Sequence, residues 1–285
     1  MNHKRKDLER VATGIAVMFG CYWIYSCLLK QNLLVSDGMK TIFGMVVLYG
    51  FGLGWFLFVT RNVSVHSYEK RKASPKMVLL CFLLQFTAIL VLTVLVNISD
   101  AVFENSVSVD LNATSGYMIF LLLIFNPVME EFVFRKLIAD KLLKYGERFF
   151  VLVSAFCFAL VHGVSLGIPQ IVYTFILGMI WAYLLVKTGD IKLVILLHAL
   201  SNLFGSIIMQ TLLSVSEVAA GVYSMGLIVL GILGLVLFFV YRKKIVLDGE
   251  PGLFRKTVIK SIVTNRGILV YAALTLIMVC FVKFR

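Results

Sequence analysis

The feature that most constrains this chain is the recurrence of apolar runs near the length, about 20 residues, at which a helix can cross the hydrocarbon core of a bilayer. They fall roughly at residues 11–29, 39–60, 77–97, 117–138, 149–166, 169–187, 191–213, 222–241 and 267–284. Short polar or charged interruptions separate them, none long enough to fold alone, so the chain reads as one membrane domain. Of the 285 residues, 60% are hydrophobic and 15% charged, with a mean hydropathy of +0.96. That balance is too apolar for a water-soluble globule of this length. The expected fold is an all-α polytopic transmembrane helical bundle of about eight or nine spans.

A net charge of +12 raises nucleic acid as a partner, but the Lys and Arg residues sit in short clusters at the ends of apolar runs and form no basic face. They report topology instead. Placing the N-terminus inside also puts Arg61–Lys76, Lys136–Arg148, Lys187–Lys192 and Tyr241–Arg266 inside, and each carries Lys or Arg. Ser99–Gly116 and Ser214–Gly221 then lie outside, with acids and no Lys or Arg. The segment HKRKDLER before Val11–Leu29 has the basic flank of a signal peptide, yet the long run lacks a small-residue cleavage site and reads as a retained first span. The expected location is a multi-pass place in a cell membrane with the N-terminus cytoplasmic. Compact size and the lack of an ER-retention signal lean towards a bacterium.

In the longest inside loop, LFRKTVIKSIV would set Leu253, Phe254, Val258, Ile259, Ile262 and Val263 on one helical face opposite Arg255, Lys256 and Lys260. Such a helix suits the surface of an anionic leaflet. The cysteines Cys21, Cys27, Cys81, Cys157 and Cys280 lie in apolar runs without CxxC spacing and read as packing residues. Asn97-Ile-Ser and Asn112-Ala-Thr fit the glycosylation pattern, which short sequences meet readily by chance.

Ionisable groups inside apolar runs cost at least about 2.5 to 3.5 kcal/mol each to insert and usually carry function. Here they come as a set. NPVMEEFVFRKL holds Glu130, Glu131 and Arg135; SAFCFALVHG holds Phe158 and His162; LLHALSN holds His198 and Asn202. Neighbouring helical residues are about 100° apart, so Glu130 and Glu131 cannot face one point equally. Glu131 and Arg135, at i and i+4, can pair, which leaves Glu130 free. The bland reading ends the fourth span near Phe125 and solvates the acids; a single buried His is more often a packing residue. Two imidazoles, a carboxylate and a carboxamide on neighbouring spans favour chemistry. A carboxylate can deprotonate a water for attack on a carbonyl, imidazoles can position that water or bind a metal, and a carboxamide can donate to an oxyanion. Pro127 could loosen the helix and admit water. One tension remains: by rise per residue His198 lies about 10 Å into its span and His162 about 20 Å, so a shared site requires tilted helices.

The order EExxxR (Glu130, Glu131, Arg135), FxxxH (Phe158, His162) and HxxxN (His198, Asn202) resembles the CAAX-protease and bacteriocin-processing family, also called the Abi or type II CAAX prenyl endopeptidase family. The matching core covers roughly 117–213, between N-terminal spans in 1–116 and C-terminal spans in 214–285. The resemblance implies an intramembrane protease with its site between helices. It makes Glu130 the activator of water, His162 and His198 its holders and Asn202 the oxyanion donor, with Glu131, Arg135 and Phe158 in support. A divalent metal such as zinc on Glu130, His162 and His198 and a metal-free glutamate mechanism both stay open, and the familiar HExxH motif is absent. The implied partner is a peptide or protein substrate, prenylated or a bacteriocin or pheromone precursor. The alternatives are a non-catalytic immunity or scaffold protein that binds a peptide or a sensor kinase, and a proton-coupled transporter.

Overall fold

The computed structural model describes residues 2–103, 115–248 and 256–283. Among these, eight helices are long and apolar enough to cross a membrane: α1 (His3–Asn32), α2 (Asp37–Thr60), α3 (Pro75–Ala101), α4 (Gly116–Tyr145), α5 (Glu147–Leu166), α6 (Ile168–Thr188), α7 (Ile191–Val215) and α8 (Glu217–Lys244). The shorter α9 (Lys256–Val263) and α10 (Arg266–Val282) meet at a bend of 65° and make a ninth span if taken together. The described residues contain no strand. The protein is thus an all-α, multi-pass membrane bundle, as the apolar runs predict.

At the centre stands the hairpin of α5 and α6, apolar on nearly every side. Phe150, Val153, Phe158, Trp181, Leu184 and Leu185 are all within 1% of complete burial. The two helices touch closely because Gly178 has no side chain: a Cβ there would lie 2.8 Å from the Ala155 Cα. Around this hairpin pack α1, α3, α4, α7 and α10.

The basic loops gather at one end of the bundle. The His66 N–H donates to the Asp140 carbonyl and the Arg71 N–H to the Thr188 carbonyl, both at 2.7 Å. Lys187 pairs with Glu147 at 2.6 Å, Lys144 with Asp7 at 2.8 Å, and Arg148 Nε donates to the Leu247 carbonyl at 2.9 Å. The segments grouped by their positive charge therefore do share one face with the start of α1. An extended strap, 61–74, lies across this face, and it passes so close to Gly189 (φ +61) that a Cβ there would strike the Glu69 carbonyl.

Three local expectations are refined. Instead of stopping near Phe125 or residue 138, the fourth span runs unbroken to Tyr145. Its basic end is held by partners, with Lys136 on Asp140 at 2.6 Å and Lys141 Nζ on the Val63 carbonyl at 2.9 Å. Helix α9 turns Val258 and Ile262 into the main core but leaves Ile259 and Val263 exposed, so the anticipated apolar face is split between protein and surroundings. Leu253, Phe254, Arg255 and the Asn112 sequon lie outside the described residues. Asn97 sits on α3, its Nδ2 donating to the Thr93 carbonyl at 2.7 Å. All five cysteines are free thiols, Cys81 and Cys157 buried, Cys21 and Cys27 half-buried and Cys280 exposed.

Candidate active site

Helix α4 carries two carboxylates at its middle, and its geometry there is irregular. Wider π turns at Leu121–Phe125 and Phe132–Leu137 flank the α-helical segment Asn126–Glu131. Such turns are rare and often mark functional positions in helices. Here they turn Glu130 towards α5 and α7 while Glu131 stays wholly buried beside Arg135.

The structure brings together the residues that the depth argument set apart. Glu130 Oε2 lies 3.6 Å from His162 Nε2 and 3.8 Å from His198 Nε2. Both separations exceed a direct hydrogen bond, and this buried oxygen has no hydrogen-bond partner. The other ring nitrogens are engaged. His162 Nδ1 is 2.8 Å from the Phe158 carbonyl one turn back, and His198 Nδ1 is 2.8 Å from Glu131 Oε1. A carbonyl and a carboxylate only accept, so each Nδ1 carries the hydrogen and each Nε2 of a neutral ring presents a lone pair. Three acceptors therefore converge with no donor among them. A water molecule, with two O–H groups to give, answers that arrangement.

Three such donors to a cation, each imidazole backed by a second hydrogen bond, are also chemically suited to a metal. Their spacing is slightly wider than that of an ideal tetrahedral site. Tetrahedral ligand pairs around zinc stand about 3.4 Å apart for bonds of about 2.0–2.1 Å, whereas the pairs here are at 3.6 and 3.8 Å. No group of three or more His, Cys, Asp or Glu side chains among the described residues is set to hold a metal ion. Glu130, His162 and His198 are the residues that would hold such an ion, and no step of the reaction is assigned to one.

Glu131 links the support residues to the site. Its Oε2 is 3.0 Å from Arg135 Nε, both side chains being fully buried, while Oε1 receives His198. The Arg135 contact is an ion pair without good hydrogen-bond angles, since none of the three guanidinium nitrogens has a hydrogen-bond partner. The cation is held instead over the Phe158 ring, 4.3 Å from its centroid. Phe158 thus serves twice: its carbonyl aligns His162, and its ring carries Arg135.

Asn202 is placed by a backbone need. In the π turn of α4 the Asn126 N–H is drawn back to the Leu121 carbonyl. The next residue, Pro127, has no N–H, which leaves the Leu122 carbonyl without its helical donor. Asn202 Nδ2 fills that gap at 2.8 Å. One amide hydrogen of Asn202 remains for another acceptor.

Two neighbours escaped the sequence reading. Trp181 of α6 stacks on the His198 ring, centroids 4.1 Å apart and planes 20° from parallel. Gln85 of α3, 1% exposed, receives the Trp181 Nε1–H at 3.1 Å. Gln85, a carboxamide in the middle of an apolar span, is the available signal; nothing in the sequence around Trp181 marks it.

A buried carboxylate and two imidazoles meeting within a bundle of apolar helices define a multi-pass membrane protein with a site suited to hydrolysis. Residues 112–204, about a third of the chain, match the family model described as type II CAAX prenyl endopeptidase Rce1-like. This segment contains every motif residue from Glu130 to Asn202, so the match falls on the same stretch and the same family that the three motifs resemble. No curated protein and no solved structure matches the chain.

Proposed function

We propose that the protein cleaves a peptide bond in a membrane-associated peptide or protein through a water activated by Glu130. The observation that carries this reading is the unpartnered, buried Glu130 Oε2 within 4 Å of two imidazole Nε2 atoms. In that gap a water gives one hydrogen to Glu130 and the other to an Nε2 lone pair. Glu130 takes the proton as the water oxygen attacks the carbonyl carbon, and the carbonyl electrons move onto its oxygen. The remaining amide hydrogen of Asn202 is suited to that oxyanion. On collapse the C=O bond re-forms and the C–N bond breaks. The proton held on Glu130 passes to the departing nitrogen, giving a free amine and a new carboxylic acid, whose remaining proton then passes to the amine or to water.

Glu131 serves this cycle by holding His198 in one tautomer, and Arg135 by balancing the buried charge of Glu131. The substrates that suit the reading are prenylated CAAX-type chains and bacteriocin or pheromone precursors. The deciding comparison is a mass-spectrometric survey of membrane and secreted peptides from cells making the wild type or Glu130→Gln at equal abundance. Peptides processed only with the wild type would support the reading and name the substrate. Identical profiles with an unchanged cellular phenotype would overturn it in favour of a scaffold or immunity role.

A further inference from the structure

The hydrogen bond from His198 Nδ1 to Glu131 restrains the imidazole at one ring atom. Small coupled changes of χ1 and χ2 would tip the ring about that contact and shift Nε2 relative to Glu130. The indole of Trp181 lies nearly parallel to the ring at 4.1 Å and blocks this tipping from one face. On the edge, Phe158 stands almost perpendicular, 87° and 6.1 Å away. Trp181 is itself restrained: its Nε1–H is spent on Gln85 Oε1 at 3.1 Å, and its ring meets Phe158 edge-on at 5.7 Å.

Gln85 makes this more than a packing coincidence. Burying a carboxamide among apolar side chains is costly unless its polar atoms are used. Gln85 Nε2 is buried with no hydrogen-bond partner, so the side chain retains its oxygen contact to the indole and little else. A flipped amide would set two donors against each other. The arrangement is therefore directional, running from α3 through Gln85 and Trp181 to His198.

We propose that Trp181, oriented by Gln85, is a positioning residue for His198 that keeps Nε2 aimed at Glu130. The proposal rests on the endopeptidase reading of the same site, and its test separates the two. Full-length protein in nanodiscs is labelled at its four histidines, and the ring protons of His198 are followed by NMR, assigned with His198→Ala. Protons over an indole face are shifted upfield, so the His198 signals are expected upfield of those from His3 and His66. Trp181→Leu should return them to ordinary positions, Trp181→Phe should keep part of the shift, and Gln85→Leu, a milder change if the first variant folds poorly, should broaden or reduce it.

In parallel, cleavage of a prenylated, internally quenched CAAX peptide is measured. Trp181→Leu should lower kcat by up to about a hundredfold, as expected for a misplaced catalytic group, with KM little changed and partial recovery in Trp181→Phe. His198 signals at ordinary positions in the wild type, or full kcat in Trp181→Leu, would overturn the proposal. If the wild type leaves the peptide uncut, the endopeptidase reading fails for this substrate, and the spectrum alone still decides whether Trp181 orients His198.

Discussion

Asn202 donates its Nδ2 hydrogen to the Leu122 carbonyl at 2.8 Å, and so α7 repairs a backbone gap that the π turn and Pro127 open in α4. The same contact draws the helix bearing His198 against the helix bearing Glu130. A residue expected to act on substrate is thus also part of the scaffold, and its two duties can be separated by experiment.

Asn202→Ala should lower the stability of the folded protein by about 1 kcal/mol, the cost of losing a hydrogen bond to a part-buried acceptor. Pro127→Ala restores an N–H close to the Leu122 carbonyl, so Asn202→Ala should cost less in that background. A double-mutant cycle read by thermal unfolding in detergent measures the coupling. Strict additivity would show that the carbonyl finds another donor.

The adjacent carboxylates should respond oppositely to the same amide substitution. Glu130→Gln removes a group whose Oε2 has no hydrogen-bond partner, so cleavage should vanish with little change in unfolding temperature. Glu131→Gln leaves the fully buried Arg135 without its counter-charge and should destabilise by about 3–5 kcal/mol. Equal losses of stability in the two variants would contradict the division of labour drawn here.

Treatment with a strong chelator distinguishes a metal-free glutamate mechanism from a metal-dependent one. If Glu130 acts on a water without a metal, cleavage of a prenylated peptide should survive chelation of the purified protein. Activity lost to the chelator and restored by zinc would instead assign the three side chains to a metal and require them to close by a few tenths of an ångström.

Acid should act at the basic end of the bundle through Asp190. Its hydrogen bond with Lys70, at 2.8 Å, is the foremost cause holding this carboxyl below its usual value, aided by the Lys192 N–H at 3.1 Å. A depressed value in the fold means that the pair stabilises above the unfolded carboxylate pKa, about 3.9. That contribution is lost as pH falls through the folded value. Asp190→Asn should therefore lower the unfolding temperature slightly at neutral pH, and the gap to wild type should close in acid. The gap is small because Lys70 is largely exposed. A gap that persists at low pH would place the stabilisation elsewhere.

Much of this protein was decided by its linear pattern. Apolar runs of spanning length dictate helices, because a chain in lipid must satisfy its own backbone groups. The clusters of Lys and Arg grouped segments 61–76, 136–148 and 187–192, which contacts in the fold bring to one end. Spacing alone paired Glu131 with Arg135 and set Glu130 apart, since both follow from helical geometry within one segment. Contacts between helices were different. Rise per residue kept His162 and His198 at unequal depths, yet packing of α4, α5 and α7 brings both to one carboxylate oxygen. The bond from Asn202 to Leu122 depends on a π turn that no local propensity announces. The stack of Trp181 on His198, with Gln85 behind it, joins three helices distant in sequence. Periodicity tells which face of a helix is polar; only the fold decides which other face it meets.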